Sequence, residues 1–289
     1  MSHPYSLAHL TVLTVPPPGL VEIAARTGYE FASVRITRVT ESEPFYDLAR
    51  DATLMRETRS RLASTGIQMH DVELFRMDAA TEPESFLPEL AAAAELGAGR
   101  IIAQLPDPDR KRAADRFARL CELASPFKLF VALEFPHWTE TGNLSEAARI
   151  LRAANQPNAG ILVDILHMGR SASSLEELRS LPREWFRFAH VCDAEREVPP
   201  GLDRMIHTAR CERLFPGEGS IDVRGILSCL PDDIPYSLEI PRATLMRAVG
   251  PEQVASLALR VARCYLEDRD ETPATGYDHG SSAASREFR

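Results

Sequence analysis

The chain alternates between short apolar runs and longer segments in which apolar residues recur at the spacing of a helix. Eight apolar runs bounded by turn residues predict strands at Leu7–Leu13, Phe31–Ile36, Ile67–Leu74, Arg100–Gln104, Leu129–Phe135, Gly160–Leu166, Arg187–Cys192 and Tyr236–Ile240. The segments between them predict helices at Pro18–Thr27, Phe45–Thr65, Glu84–Leu96, Asp109–Leu123, Leu144–Ala154, Leu175–Leu181, Val223–Cys229 and Pro251–Glu267. Most strand starts recur at about 30 residues, which is the size of a β-α unit.

This strict alternation predicts a single-domain α/β protein, a (β/α)8 TIM barrel of parallel strands surrounded by helices. A doubly wound open sheet is the competing architecture, but no glycine-rich dinucleotide- or phosphate-binding loop follows any predicted strand. We expect the barrel to span residues 1–267. Residues 268–289 are polar and contain glycine and serine, so we expect a flexible C-terminal tail there.

Composition narrows the classes of function. The 289-residue chain has a formal net charge of −9, and an acidic surface repels nucleic-acid phosphates and anionic lipids, so we expect neither a nucleic-acid nor a membrane partner. The five cysteines form no C-x-x-C pair, which favours a reducing compartment over a disulfide framework. No apolar run reaches the length of a membrane span, and we expect a cytoplasmic protein. Assembly of identical subunits is left open.

Four successive strands end in a side chain that can bind a metal ion. In a (β/α)8 barrel the carboxyl ends of the strands form one mouth, and strands five to eight bring Glu134, Asp164, His190 and Glu239 there. Three buried carboxylates would repel one another unless a cation neutralised them. An oxygen-rich set with one imidazole favours Mn²⁺, with Mg²⁺, Co²⁺ and Zn²⁺ as alternatives. The sequence therefore predicts a divalent-metal site.

Further motifs surround these positions. Asp164 and His167 form a D-x-x-H motif, and Leu214–Gly219 contains a P-G-x-G turn. Glu140 and Arg196 each lie six residues beyond a predicted ligand, the first glutamate and the histidine. In these features the chain resembles the xylose isomerase-like barrels, a superfamily of sugar phosphate isomerases and epimerases that includes ketose 3-epimerases and hydroxypyruvate isomerases. The resemblance covers nearly the whole predicted barrel.

The resemblance implies a role for each of these residues. It implies that the four strand-end residues hold the metal and that Glu134 and Glu239 also act as catalytic acid and base groups. It implies that Glu140, His167 and Arg196 hold oxygens of the substrate.

The chemistry of such a site predicts an isomerase or epimerase. A metal that bridges a carbonyl oxygen and a neighbouring hydroxyl acidifies the C–H bond between them by stabilising an enediolate. Two carboxylates can then remove and return the proton. We expect a small polyhydroxylated carbonyl substrate, which is a sugar, a keto sugar or a keto acid. The alternative is a metal-dependent lyase, because the same proton abstraction followed by loss of a hydroxyl group dehydrates inosose- or dehydroshikimate-type compounds.

Two other classes are disfavoured. A phosphodiesterase of the endonuclease IV type needs more histidine ligands and a basic face, whereas this chain offers one histidine ligand and a net charge of −9. A non-catalytic barrel would keep a costly charge cluster without using it.

The earlier strands offer further candidates for the cavity. Arg35 ends strand two, where many relatives place a carboxylate, so it either binds an anionic group of the substrate or pairs with a neighbouring acid. Glu73 is favoured over His70 for the mouth because it lies nearer the end of strand three. Gln104 ends strand four, and Trp138 is expected to form an apolar wall for substrate or to pack within its loop.

Overall fold

The computed structural model describes residues 3–41 and 43–267, and its strands form one closed barrel. Neighbouring strands are parallel, and their order around the barrel follows the chain. The strands are β1 (Tyr5–Leu7), β2 (Phe31–Arg35), β3 (Gln68–Arg76), β4 (Arg100–Gln104), β5 (Phe130–Glu134), β6 (Ala159–Asp164), β7 (Ala189–Val191) and β8 (Tyr236–Leu238). The predicted (β/α)8 barrel is confirmed. The tail predicted at residues 268–289 lies outside the described residues.

The α-helices of the described residues lie in the connections and after the last strand. They are α1 (Pro17–Thr27), α2 (Ala52–Thr65), α3 (Leu87–Glu95), α4 (Arg110–Ala124), α5 (Leu144–Ala154), α6 (Ile165–Arg170), α7 (Leu175–Ser180), α8 (Leu202–Cys211), α9 (Val223–Leu227), α10 (Ala243–Val249) and α11 (Pro251–Glu267). Helices α1 and α2 end at Gly28 and Gly66, whose φ angles of 88° and 79° suit glycine. None of these helices is long and apolar enough to cross a membrane.

Strands β1 and β6 end before their predicted limits because a helix begins there. β1 ends at Leu7, because His9–Val12 forms a 3-10 helix and does not continue the strand. β6 ends at Asp164, and the residues predicted as strand up to Leu166 begin α6. The cause is the Asp164 carboxylate, whose Oδ1 accepts the backbone N–H of His167 at 3.1 Å and so caps the helix.

Helices at the mouth of the barrel also differ from the sequence prediction. α2 begins at Ala52 and not at Phe45, because the Asp51 carboxylate accepts the backbone N–H groups of Thr53 and Leu54 at 2.9 and 3.0 Å. The pattern does not predict α6, α8 and α10. These short helices follow β6, β7 and β8, so they lie on the side of the barrel where the strands end.

The buried core has two parts. The larger part fills the space between the strands and the surrounding helices. The smaller part lies inside the barrel and comes from strands β3 to β6 and the residue before β7, with the side chains of Leu74, Ile102, Ala132, Leu162 and Phe188. Two of these side chains also line the cavity at the mouth. The interior cluster therefore forms part of the floor of the candidate site.

Candidate metal centre

The four predicted ligands converge at the carboxyl ends of neighbouring strands. Glu134 and Asp164 are the last residues of β5 and β6, His190 is the middle residue of β7, and Glu239 directly follows β8. All four are buried, with at most 5% of any residue exposed. One ligand atom from each lies within 4.8 Å of every other. The structure therefore brings the predicted set together.

His190 lies among the three carboxylates. Its Nδ1 is 3.3 Å from Glu239 Oε2 and 3.8 Å from both Glu134 Oε1 and Asp164 Oδ2. Neither ring nitrogen makes a hydrogen bond of good geometry within the described residues, although buried polar atoms are normally paired. A divalent cation between the imidazole and the carboxylates would give a bonding partner to one ring nitrogen and to the carboxylate oxygens.

Arg213 is a part of this centre that the sequence prediction missed. It is 2% exposed, and its Nη1 donates to Asp164 Oδ2 at 2.6 Å while Nη2 lies 2.7 Å from Glu239 Oε2. Burial alone would raise the pKa values of these carboxyl groups. The guanidinium overrides that effect, holding the pKa of Asp164 well below its usual range and, together with His190, lowering the pKa of Glu239 to about 2. Both carboxylates are therefore ionised.

Local structure explains how Arg213 reaches the centre. The next residue, Leu214, forms an antiparallel bridge with Asp193, with two backbone hydrogen bonds of 2.8 Å. The Asp193 carboxylate also accepts the N–H groups of Gly217 and Gly219 at 3.0 Å each, which fixes the P-G-x-G turn. That turn is the sequence signal nearest to Arg213, and it marks this segment as part of the mouth.

Glu134 lacks an arginine or lysine partner within the described residues. Its Oε2 accepts a hydrogen bond of 2.5 Å from the neutral side-chain amide of Gln104. Burial and the negative charges of Glu239 and Asp164 raise the pKa of Glu134 to about 8. A divalent cation would supply the counter-charge that this third carboxylate lacks. The donor set and its charge balance therefore fit the predicted metal.

A cavity of about 260 Å³ opens at these residues. Its volume lies below the range of about 300 to 1,000 Å³ that is typical of sites for drug-sized ligands, so it suits a small metabolite. The wall contains the ligands Glu134, His190 and Glu239. It also contains four of the six residues predicted to bind substrate, which are Arg35, Glu73, Trp138 and His167.

His167 and Trp138 form one side of the cavity. His167 lies in the first turn of α6, is 3% exposed, and packs against the Trp138 ring with the ring centroids 4.9 Å apart. Behind them, His137 Nδ1 lies 3.1 Å from His167 Nδ1. Burial lowers the pKa of His167 to about 4 and that of His137 to about 3, with a further contribution from their mutual proximity in the case of His137. Both imidazoles are therefore neutral at physiological pH.

Arg35 is paired with neighbouring acids. Its Nε and Nη2 donate to Glu73 Oε2 at 3.1 and 2.7 Å, and its Nη1 lies 3.4 Å from Glu43 Oε2. Glu43 also bonds Arg210 of α8. Of the two alternatives left open by the sequence, pairing with an acid is the one that the structure contains. Arg35 nevertheless lines the cavity, so a contact with substrate stays a prediction.

β3 places Glu73 in the cavity wall and His70 outside it. The register of β3 against β4 shifts between Val72 and Phe75, and this irregularity changes the direction of the side chains at this end of the strand. His70 packs instead against Phe188 inside the barrel, with the ring centroids 5.0 Å apart.

Glu140 and Arg196 lie outside the cavity wall. Both residues are exposed, Glu140 in the turn between β5 and α5 and Arg196 in the loop after β7. In the first loop Trp138 occupies the position that faces the cavity. In the second, the backbone N–H of Arg196 donates to Ser220 Oγ at 2.8 Å and the side chain stays at the surface. The substrate contacts of these two residues stay predictions.

Comparison with known proteins identifies the family. A family model of the xylose isomerase-like TIM barrel matches residues 21–264. The chain belongs to this family. The predicted family is thereby confirmed together with the fold.

This xylose isomerase-like barrel is similar to a protein of Bacillus licheniformis named inosose isomerase. The two are 27% identical over 172 residues, which make up 59% of this chain and 54% of that protein. The chain thus matches about half the length of this curated relative.

Two solved structures share the fold. The IOLI protein, crystallised with a zinc atom, aligns with a TM-score of 0.74 at 18% identity over 91% of this chain and 99% of that chain. A fusion protein of a xylose isomerase-like TIM barrel and a 4-hydroxyphenylpyruvate dioxygenase aligns with a TM-score of 0.76 at 21% identity over 96% of this chain and 46% of that chain.

Proposed function

We propose that this barrel is a divalent-metal-dependent isomerase or epimerase of a small polyhydroxylated carbonyl compound. The observation that carries the proposal is the pair of buried glutamates, Glu134 and Glu239, in the wall of one small cavity. Isomerisation or epimerisation beside a carbonyl group needs a base that removes a carbon-bound proton and an acid that returns one. The two carboxylates can share these roles.

Glu134, Asp164, His190 and Glu239 would hold a cation at the mouth of the barrel. Such a cation would supply positive charge that offsets the negative charge developing on the substrate oxygens as the proton leaves. We propose Mn²⁺ as the ion, and Zn²⁺ is tested beside it because the IOLI protein binds zinc. The chain adds its own polar groups, because the side chains of Gln104 and His167 also line the cavity.

The cavity supports a compact polyol ketone as substrate. Glu73, Gln104 and His167 offer partners for hydroxyl groups, whereas Trp138 and Ile206 offer apolar surface to the ring or chain of a carbohydrate. Because the curated relative is named inosose isomerase, cyclic polyhydroxylated ketones of the inosose class are the first candidates. Open-chain ketoses and keto acids follow.

The experiment is proton exchange with solvent. The Mn²⁺- or Zn²⁺-loaded protein is incubated in D₂O with inososes, ketoses and keto acids, and the recovered compounds are analysed by NMR. We expect deuterium at a carbon next to the carbonyl group, together with an isomeric product. An absorbing enone product would show the lyase reaction, which begins with the same proton abstraction.

Two glutamine variants and one control tie the exchange to the site. Glu134→Gln and Glu239→Gln should each abolish formation of the isomeric product, because each removes one of the two proton carriers. Glu57→Gln, on the exposed face of α2, should form the product like the wild type. An isomeric product formed by Glu239→Gln would remove that residue from its role, and no exchange with any compound and either ion would contradict the proposal.

A further inference from the structure

Arg213 bonds two predicted metal ligands, Asp164 and Glu239, through the carboxylate oxygens that face His190, which is another predicted ligand. The oxygens are Asp164 Oδ2 and Glu239 Oε2, at 2.6 and 2.7 Å from the guanidinium. The same two oxygens lie 3.8 and 3.3 Å from His190 Nδ1. A cation held between His190 and these carboxylates would therefore lie beside the guanidinium.

Arg213 is fixed in this position by contacts other than the ligands. Its Nε donates to the backbone carbonyl of Ala209 at 2.7 Å, and its own backbone N–H donates to the carbonyl of Pro241 at 3.1 Å. The Nη1 group also lies 3.4 Å from Cys192 Sγ. Moving the guanidinium out of the centre would break its contacts with Ala209 and Cys192, which favours its staying there when a metal ion binds.

The charge of Arg213 has two opposite effects. An arginine in a protein stays protonated, so it neutralises part of the charge of Asp164 and Glu239 whether or not a metal is present. A divalent ion at ordinary metal–oxygen distances from the same oxygens would lie only about 5 Å from the guanidinium nitrogens. Like charges at that separation in a buried site repel strongly.

We propose that Arg213 is an internal counter-cation that keeps Asp164 and Glu239 together in the metal-free protein and weakens the binding of the divalent ion. This inference rests on the metal site of the proposed function. Arg213 is thus a positioning residue, which sets how readily the centre exchanges its metal.

The test compares metal affinity with stability in three proteins. Chelator-stripped wild type, Arg213→Met and Arg213→Lys are titrated with Mn²⁺ by calorimetry, and the Tm of each is measured with and without Mn²⁺. Arg213→Met should bind Mn²⁺ at least about tenfold more tightly, because the repulsion is gone. Its Tm should fall more in the metal-free than in the Mn²⁺-loaded form, as linkage requires. Arg213→Lys keeps the charge and should bind Mn²⁺ within about threefold of the wild type.

Arg210→Met is the matched control. Arg210 lines the same cavity from α8, but its acidic partner is Glu43 and not a metal ligand. Its replacement should change Mn²⁺ affinity by no more than about threefold, since its bonding partner is Glu43 and not a ligand oxygen of the centre.

Several outcomes would overturn the inference. Equal or weaker Mn²⁺ binding by Arg213→Met contradicts it, and so does an equal fall in Tm with and without Mn²⁺, which a purely structural role through Ala209 predicts. If Arg213→Met folds only when Mn²⁺ is present, the ion replaces the arginine charge as proposed. If it folds in neither condition, the counter-cation role is refuted. A wild type that binds no divalent ion refutes the metal site of the proposed function instead, so the two failures are distinguishable.

Discussion

The carboxylate of Glu134 accepts a hydrogen bond of 2.5 Å from the side-chain amide of Gln104, a neutral partner. The other two carboxylates of the centre, by contrast, are both bonded to Arg213. The negative charge at Glu134 is therefore the part of the centre that a metal ion is best placed to balance.

The metal-free protein should lose stability as the pH rises from about 6.5 to 8. Burial and the neighbouring carboxylates raise the pKa of Glu134 from 4.5 to about 8, so in this range the folded state binds a proton that the unfolded state has released. His190 acts in the same direction, because the surrounding carboxylates overcome burial and raise its pKa well above 6.5. Urea unfolding at the two pH values measures the effect.

Glu134→Gln is the control for this pH dependence. It removes the titrating carboxyl group but keeps the shape of the side chain, so the fall in unfolding free energy between the two pH values should be smaller than in the wild type. Saturating Mn²⁺ should also reduce the fall in the wild type. An unchanged slope in Glu134→Gln would show that the buried glutamate is not its source.

The Arg35–Glu73 pair should be strongly coupled. Glu73→Gln leaves the buried guanidinium without its main partner, and we expect a loss of about 3 kcal/mol in the free energy of unfolding. In a double-mutant cycle, Arg35→Met combined with Glu73→Gln should cost less than the sum of the single changes by at least about 1 kcal/mol. Denaturant unfolding of the four proteins gives the coupling. Additive losses would mean that the pair contributes nothing of its own.

Trp138 should report the binding of substrate. It lies in the cavity wall, whereas the other tryptophan, Trp185, packs against Arg152 away from the cavity. Substrate should change the intrinsic fluorescence of the wild type and of Trp185→Phe, but not that of Trp138→Phe. Trp138→Ala should raise KM by about tenfold, because it removes an apolar surface worth more than 1 kcal/mol. A retained signal in Trp138→Phe would place the substrate elsewhere.

Glu140 and Arg196 provide a test of the loop arrangement. Because both side chains are exposed outside the cavity wall, Glu140→Gln and Arg196→Met should each change kcat/KM by no more than about twofold, as for other surface changes. A loss of tenfold or more in either variant would show that these loops close over the substrate and form the contacts that the family resemblance implies.

The barrel could be predicted from the sequence because each β-α unit repeats one pattern of apolar positions. Parallel strands of a closed barrel must bring their carboxyl ends to one mouth. The pattern alone therefore places four residues at that mouth, which are Glu134, Asp164, His190 and Glu239. The predicted strand limits were less accurate where a side-chain hydrogen bond ends the strand. Asp164 does this for β6, because its carboxylate caps α6.

Residues contributed by loops could not be predicted in the same way. Arg213 belongs to no periodic segment, and its position depends on the backbone bridge between Leu214 and Asp193. The spacing of Glu140 and Arg196 places them in the loops after β5 and β7 but does not give the direction of their side chains, which depends on how each loop turns after its strand. Long-range contacts of this kind leave no periodic signal in the chain.

Metal stoichiometry tests the central claim most directly. Chelator-stripped protein is reconstituted with Mn²⁺ or Zn²⁺, freed of excess ion and analysed by inductively coupled plasma mass spectrometry, beside the Glu134→Gln/Glu239→Gln double variant. We predict one divalent ion per chain in the wild type, close to none in the double variant, and a Tm that rises only in the wild type. A wild-type chain that retains no ion, with a Tm unaffected by metal or chelator, would contradict the metal centre and the reaction proposed from it.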